Sequence, residues 1–184
     1  MKLKNAIYYS AMLLRLDDVC KALESEEGTE ESEQEISRLV RIANLVISET
    51  VREYLPLKTK EKITVTSDGF KYSSLKKRLA DVYSVSDGQG KNVPIKCYYD
   101  FFTLPSPGEY EITYSYVPDP LALDDEAELG RLCERVLAYG ICAEYCVISG
   151  ESEGAILWDG RFKDALFMRR ESKYEKRVAK RKWL

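Results

Sequence analysis

Apolar side chains recur at helical spacing over residues 5–24, at Ile7, Leu13, Leu14, Leu16, Val19, Cys20 and Leu23, which predicts an amphipathic helix. The same period returns over residues 32–54, at Ile36, Leu39, Val40, Ala43, Val46, Ile47, Val51 and Tyr54. Pro56 closes this second helix, because proline has no N–H and clashes with the preceding turn. Between them, residues 24–35 hold seven Glu and no basic residue around Gly28. That composition predicts a loop whose acids also suit the first turn of the next helix.

The period then changes from helical to twofold. Glu61-Lys-Ile-Thr-Val-Thr-Ser67 alternates and runs into the turn Asp68-Gly69, followed by Phe70 and Tyr72. Val82, Tyr83 and Val85 mark a strand over residues 79–86, ended by Asp87-Gly88-Gln89-Gly90. Residues 91–103 and 109–117 complete the set, parted by Pro105-Ser106-Pro107-Gly108. Short strands joined by Gly and Pro turns predict a small antiparallel sandwich or barrel-like unit.

Pro118 and Pro120 mark the exit, and Asp124, Asp125 and Glu126 predict a capped helix start. From Val136 to Ile148 only Glu144 is charged. A helix apolar nearly all round is central in its domain or shared with a neighbouring subunit, and this one is shorter than the ~20 residues a membrane span needs. Gly140 within it costs about 1 kcal/mol of helix propensity against Ala, which a close helix crossing would explain. Ser149-Gly150 breaks the run. A last helix carries Ala155, Trp158, Phe162, Ala165 and Leu166 on one side. Beyond Met168 the apolar stripe thins to Tyr174 and Val178, and the chain finishes in Trp183-Leu184.

The predicted fold class is α+β, mainly α. It is a four-helix bundle-like domain (residues 1–58 and 119–184) with a small antiparallel β unit (59–118) inserted between helices two and three. An extended basic C-terminal helix or tail follows.

Composition narrows the chemistry. The 184 residues are 45% hydrophobic and 32% charged, so the chain is neither disordered nor membrane-spanning in type. There is no histidine, which removes Ser-His-Asp and Cys-His catalysis, His-ligated metals and the usual neutral-pH base. Five cysteines and nothing resembling a signal peptide predict reduced thiols in the cytosol. The net charge of -3 hides an asymmetry: residues 119–160 hold ten acidic against two basic side chains, and residues 161–184 ten basic against three acidic. Such a split suggests a complementary partner surface or nucleic acid.

No constellation for catalysis emerges. Cys142 and Cys146 share a helix face, but nine helical steps put Cys133 on the opposite one, so small buried hydrophobes are the expected role rather than metal ligands. Glu144 should have an Arg or Tyr partner or sit at a subunit boundary. Asp87-Gly88-Gln89-Gly90 joins two strands and opens no helix, so it is no dinucleotide fingerprint. Tyr98, Tyr99, Phe101, Phe102, Tyr110, Tyr114 and Tyr116 fit a β core better than a base-stacking platform, which normally lies in a basic groove. The tail carries Arg169, Arg170, Lys173, Lys176, Arg177, Lys180, Arg181 and Lys182. Nucleic acid, an acidic protein surface and plain solvation are all open for it, with Trp183 favouring a docking peptide.

The ordered pattern resembles the head-to-tail adaptor (connector) proteins of tailed bacteriophages and prophages. The residues that carry the resemblance begin at Asn44–Val51 and Glu53-Tyr54-Leu55-Pro56-Leu57, then Val82-Tyr83-Ser84-Val85 and Tyr114-Ser115-Tyr116-Val117-Pro118. They continue with Asp124-Asp125, Ala138-Tyr139-Gly140-Ile141-Cys142-Ala143-Glu144-Tyr145 and Trp158-Asp159-Gly160-Arg161-Phe162-Lys163-Asp164-Ala165-Leu166. It covers about residues 32–170 and is one of architecture and loose motif. It implies a non-enzymatic structural protein without cofactor or metal. Its copies would form a dodecameric ring beneath the portal protein in the virion, with the monomer one form open to the isolated chain, and would meet a tail or head-completion protein. DNA would pass through the lumen without sequence specificity, and no membrane is involved. The implied location is the bacterial cytoplasm during assembly and then the virion. Gly140, Glu144, Tyr145, Trp158, Arg161 and Phe162 would form the interface helices, and residues 169–184 the portal-docking segment. The alternative is a nucleic-acid-binding module that uses the basic C-terminal helix.

Overall fold

A computed structural model describes residues 1–25 and 28–169. The chain opens with α1 (Leu3–Leu13), α2 (Asp17–Ser25) and α3 (Glu30–Glu49), the last running into a wider π-helical turn over Thr50–Tyr54. Seven strands follow: β1 (Leu57–Val65), β2 (Phe70–Lys71), β3 (Leu79–Ser86), β4 (Asn92–Val93), β5 (Lys96–Cys97), β6 (Phe101–Thr103) and β7 (Gly108–Tyr116). The helices α4 (Glu134–Ser149) and α5 (Ser152–Phe167) close the described part.

The expected single helix over residues 5–24 is broken at Arg15, whose backbone is left-handed (φ 59°). The Leu16 N–H reaches back to the Ala11 carbonyl at 2.9 Å, closing α1. The reason is in the phase of the sequence. α1 buries Leu3, Ala6, Ile7, Ser10 and Ala11. Continued unbroken, that stripe would pass through Leu14 and then bury Asp17, Asp18 and Lys21. The kink turns the chain so that Val19, Ala22 and Leu23 are buried instead.

α3 starts at Glu30, inside the stretch read as a loop and two residues before the expected helix, because the Thr29 hydroxyl accepts from the Ser32 N–H at 3.2 Å and Glu30, Glu31 and Glu33 charge its first turn. The helix start expected at Asp124–Glu126 is not formed. Asp125 instead accepts from the Ala122 N–H at 2.7 Å, and its own carbonyl accepts from the Leu3 N–H at 3.1 Å. Residues 118–133 are thus an irregular strap, with Leu129 and Leu132 buried beneath it. Asn44 pins the strap to α3 through the Leu121 carbonyl and N–H, at 2.9 and 2.7 Å.

The bundle with a small β unit is overturned. Among the described residues there are five α-helices and two antiparallel sheets, one of four strands (β1-β7-β3-β4) and one of three (β2-β6-β5). β1 and β7 alternate for nine residues each and pair from Leu57↔Tyr116 to Val65↔Gly108. That length lets the sheets bury a core of their own around Ile63, Val85, Phe102, Ile112 and Tyr114. Outward, Lys58, Lys60 and Lys62 line β1, and charge on an edge strand discourages further strand pairing. Tyr116 packs against both this core and the helical one, where Leu57 and Val117 also lie.

The helical core centres on α4, which packs against α1, α3 and α5. This explains its apolar circumference. Leu137 and Ile141 are completely buried, each contributing about 1.5–3 kcal/mol. No helix among the described residues is long and apolar enough to cross a membrane.

Candidate assembly surface

α4 and α5 form a helical hairpin. Gly150 ends α4 with φ 78°, a conformation that favours glycine, and the Glu151 N–H returns to the Cys146 carbonyl at 2.8 Å. Gly140 is where three helices meet. A Cβ there would lie 2.5 Å from Val46 Cγ1 of α3 and 3.0 Å from the Phe162 ring of α5. The residue is glycine because nothing larger fits.

The six helical positions singled out from sequence fall into three places. Gly140 and Phe162 touch in the core. Trp158 stacks on Tyr139 with ring centres 5.8 Å apart, and the Arg161 guanidinium lies 5.0 Å over the Trp158 ring. Tyr145 faces α3, under the Arg38 guanidinium at 5.1 Å. Burial first, then a hydrogen bond to Glu35, raises its hydroxyl pKa above the ordinary value. Glu144 has no hydrogen-bond or ion-pair partner among the described residues, so of its two expected placements the Arg or Tyr partner is not met there and the subunit boundary stays open. It lies close enough to Glu49 to repel it. Burial, then Glu144 and Glu53, raise the Glu49 carboxyl, and Lys163 opposes them.

Of the basic positions, Arg169 is described. It donates to the Ala165 carbonyl at 3.1 Å and to Cys133 Sγ at 3.2 Å, and its carbonyl accepts from Arg131 at 3.2 Å. Arg170, Lys173, Lys176, Arg177, Lys180, Arg181, Lys182 and Trp183 lie outside the described residues.

The thiols are not gathered. Cys142 and Cys146 are buried on α4, where burial pushes Cys142 up to about 12, and Cys133 lies beside Arg169. Among the described residues no group of three Cys, Asp or Glu is arranged to hold a metal ion. The β aromatics divide. Phe102, Tyr110 and Tyr114 are core, and Tyr114 donates to Glu61 at 2.9 Å. Tyr98 stacks on Phe101 (4.6 Å) at the β5–β6 tip, where Tyr99 is fully exposed.

Two surface features escaped the sequence reading. The first is the outer side of the hairpin. α5 buries only Phe162 and Leu166, whereas Ile156 is 75% exposed, Phe167 76% and Met168 82%. Leu157 and, at the end of α4, Val147 and Ile148 are also exposed. The second is a groove of about 500 Å³ between α1, α4 and α5, lined by Tyr9, Met12, Leu13, Tyr139, Arg135 and Arg161 among others. The signal for both was present: Tyr9 and Met12 lie off the buried stripe of α1, and Ile156 and Phe167 lie opposite Phe162 on α5.

The chain matches no protein-family model, and no curated protein is similar enough to it to count as a relative.

Proposed function

We propose that the chain is a structural subunit of the head-to-tail connector of a tailed bacteriophage or prophage, assembling with its own copies and docking on the portal protein. One observation carries the reading. The α4–α5 hairpin, built on a tightly packed inner face, exposes six large apolar side chains to solvent: Val147, Ile148, Ile156, Leu157, Phe167 and Met168. Val147 and Ile148 close α4 and Ile156 and Leu157 stand in the first turns of α5, at the tip of the hairpin, while Phe167 and Met168 stand at its far end; exposed apolar side chains of this size suit protein contacts. This hairpin holds two of the segments on which the sequence resemblance to connectors rests. In this reading the work of the protein is done by surfaces rather than by reactive groups.

The test uses the full chain incubated with portal-containing capsids that lack tails. Attachment to the portal vertex is expected in electron micrographs, and deletion of residues 169–184 should abolish it. Attachment unchanged by the deletion would refute the docking role of that segment. No attachment by the intact chain would refute the connector reading.

A further inference from the structure

The groove and the hairpin tip are complementary, and they occupy opposite ends of the same hairpin. The groove floor is Tyr9, Met12, Leu13 and Tyr139, and its cations are Arg135 and Arg161. Arg135 donates its Nε to the Tyr139 hydroxyl at 2.7 Å, and Arg161 lies over Trp158. Neither guanidinium meets a carboxylate among the described residues. The acid lining the groove, Glu134, is already engaged by the Lys2 N–H and the Asn5 amide. Tyr, Met and Arg around an apolar floor are the residue types that concentrate in binding interfaces.

The tip has the opposite character. From residue 136 to residue 160 there is no Lys or Arg, and Glu151 and Glu153 flank the turn between α4 and α5. Val147, Ile148 and Ile156 stand exposed around them. Val147 is about three and a half turns from the start of α4, about 18 Å beyond Arg135 at 1.5 Å per residue. One subunit therefore cannot seat its own tip in its own groove.

We infer that the groove receives the acidic, apolar α4–α5 tip of a second copy of this chain, with Glu151 and Glu153 facing Arg135 and Arg161. The apolar residues of the tip cover Met12 and Tyr9, and the carboxylates answer two guanidiniums that meet no carboxylate among the described residues. Because the two patches differ, the contact is head-to-tail, and it propagates until it closes into a ring or runs on as a filament. The inference rests on the connector reading for its biological sense, but its physical content is separate.

The experiment is sedimentation and native mass spectrometry of the full chain, at concentrations up to millimolar so that weak association is seen. Arg135→Glu/Arg161→Glu spoils the groove, and Val147→Asp/Ile156→Asp spoils the tip. All four positions are surface ones, and circular dichroism verifies that both variants remain folded. Each variant alone should associate at least about tenfold more weakly than the parent. Mixed, they should form a heterodimer and stop, because one good groove meets one good tip and no further contact is left. Adding Glu151→Arg/Glu153→Arg to the groove variant should restore its self-association. Three results overturn the inference: a parent that stays monomeric at millimolar concentration, a groove variant that assembles like the parent, or a mixture that gives no heterodimer. Loss of portal attachment with intact self-association would count against the connector reading alone. Normal assembly of the groove variant would count against this interface alone.

Discussion

Two glycines on one hairpin separate what the subunit explains by itself from what it does not. Gly140 faces inward, where a Cβ would strike Val46 at 2.5 Å. Gly160 faces outward on α5, and a Cβ there would meet nothing within 4 Å. The phenylalanines of α5 repeat the contrast, with Phe162 5% exposed and Phe167 76%. Inner-face residues are fixed by the α3–α4–α5 crossing. Nothing among the described residues covers the outer-face ones, and the exposed surface they form is the surface proposed to be covered in the assembly.

The comparison breaks first, and most visibly, at the phenylalanines. Phe162→Ala should cost about 3–5 kcal/mol in denaturant unfolding, because it empties the space beside Gly140. Phe167→Ala should stay within about 0.5 kcal/mol of the parent. Equal losses would mean that the outer face is packed in the free subunit after all.

The glycines should differ in sign. Gly140→Ala gains about 1 kcal/mol of helix propensity but forces a methyl against buried Val46, and overpacking of this kind costs about 1–3 kcal/mol. Its thermal midpoint should fall. Gly160→Ala has the propensity gain and no clash, so its midpoint should rise by the equivalent of up to about 1 kcal/mol. A fall at residue 160 in the isolated subunit would show that the outer face has a packing partner.

The smallest effect concerns the flank between the two faces. The Glu49 carboxyl is raised by burial, then by Glu144 and Glu53. A carboxyl raised in the folded state binds its proton more tightly there than in the unfolded chain. Its ionised form therefore weakens the fold above the folded value, and that weakening fades as pH falls towards the ordinary 4.5. Glu49→Gln should be slightly more stable than the parent at pH 7, and the difference should shrink as the melts are repeated towards pH 4.5. A difference that grows on acidification would contradict this sign.

What could be read from the sequence tracks which interactions are local. α3 was legible because the apolar period runs from Ile36 to Tyr54 and Pro56 ends it, while the cap at Thr29, inside the acidic stretch read as a loop, was not read. The strands β1 and β7 were legible in their alternation, but nine paired residues between positions 57 and 116 depend on a long-range register that no local signal specifies. The size of the sheets was missed for that reason. The break at Arg15 was readable in principle, since Asp17, Asp18 and Lys21 cannot follow Ile7 and Ser10 into a core. For the surface, Gly140 was picked out by its oddity within an apolar run, and Phe162 by its place on the apolar side of the last helix. The groove was hidden because Tyr9 and Met12 on α1 meet Tyr139 and Arg161 only through tertiary packing.

Electron microscopy of the full chain, added to portal-containing capsids without tails, is the most direct test that this is a ring-forming connector subunit. The expected result is a closed ring of copies seated on the portal vertex. Capsids whose portal vertex stays bare at saturating protein would contradict it.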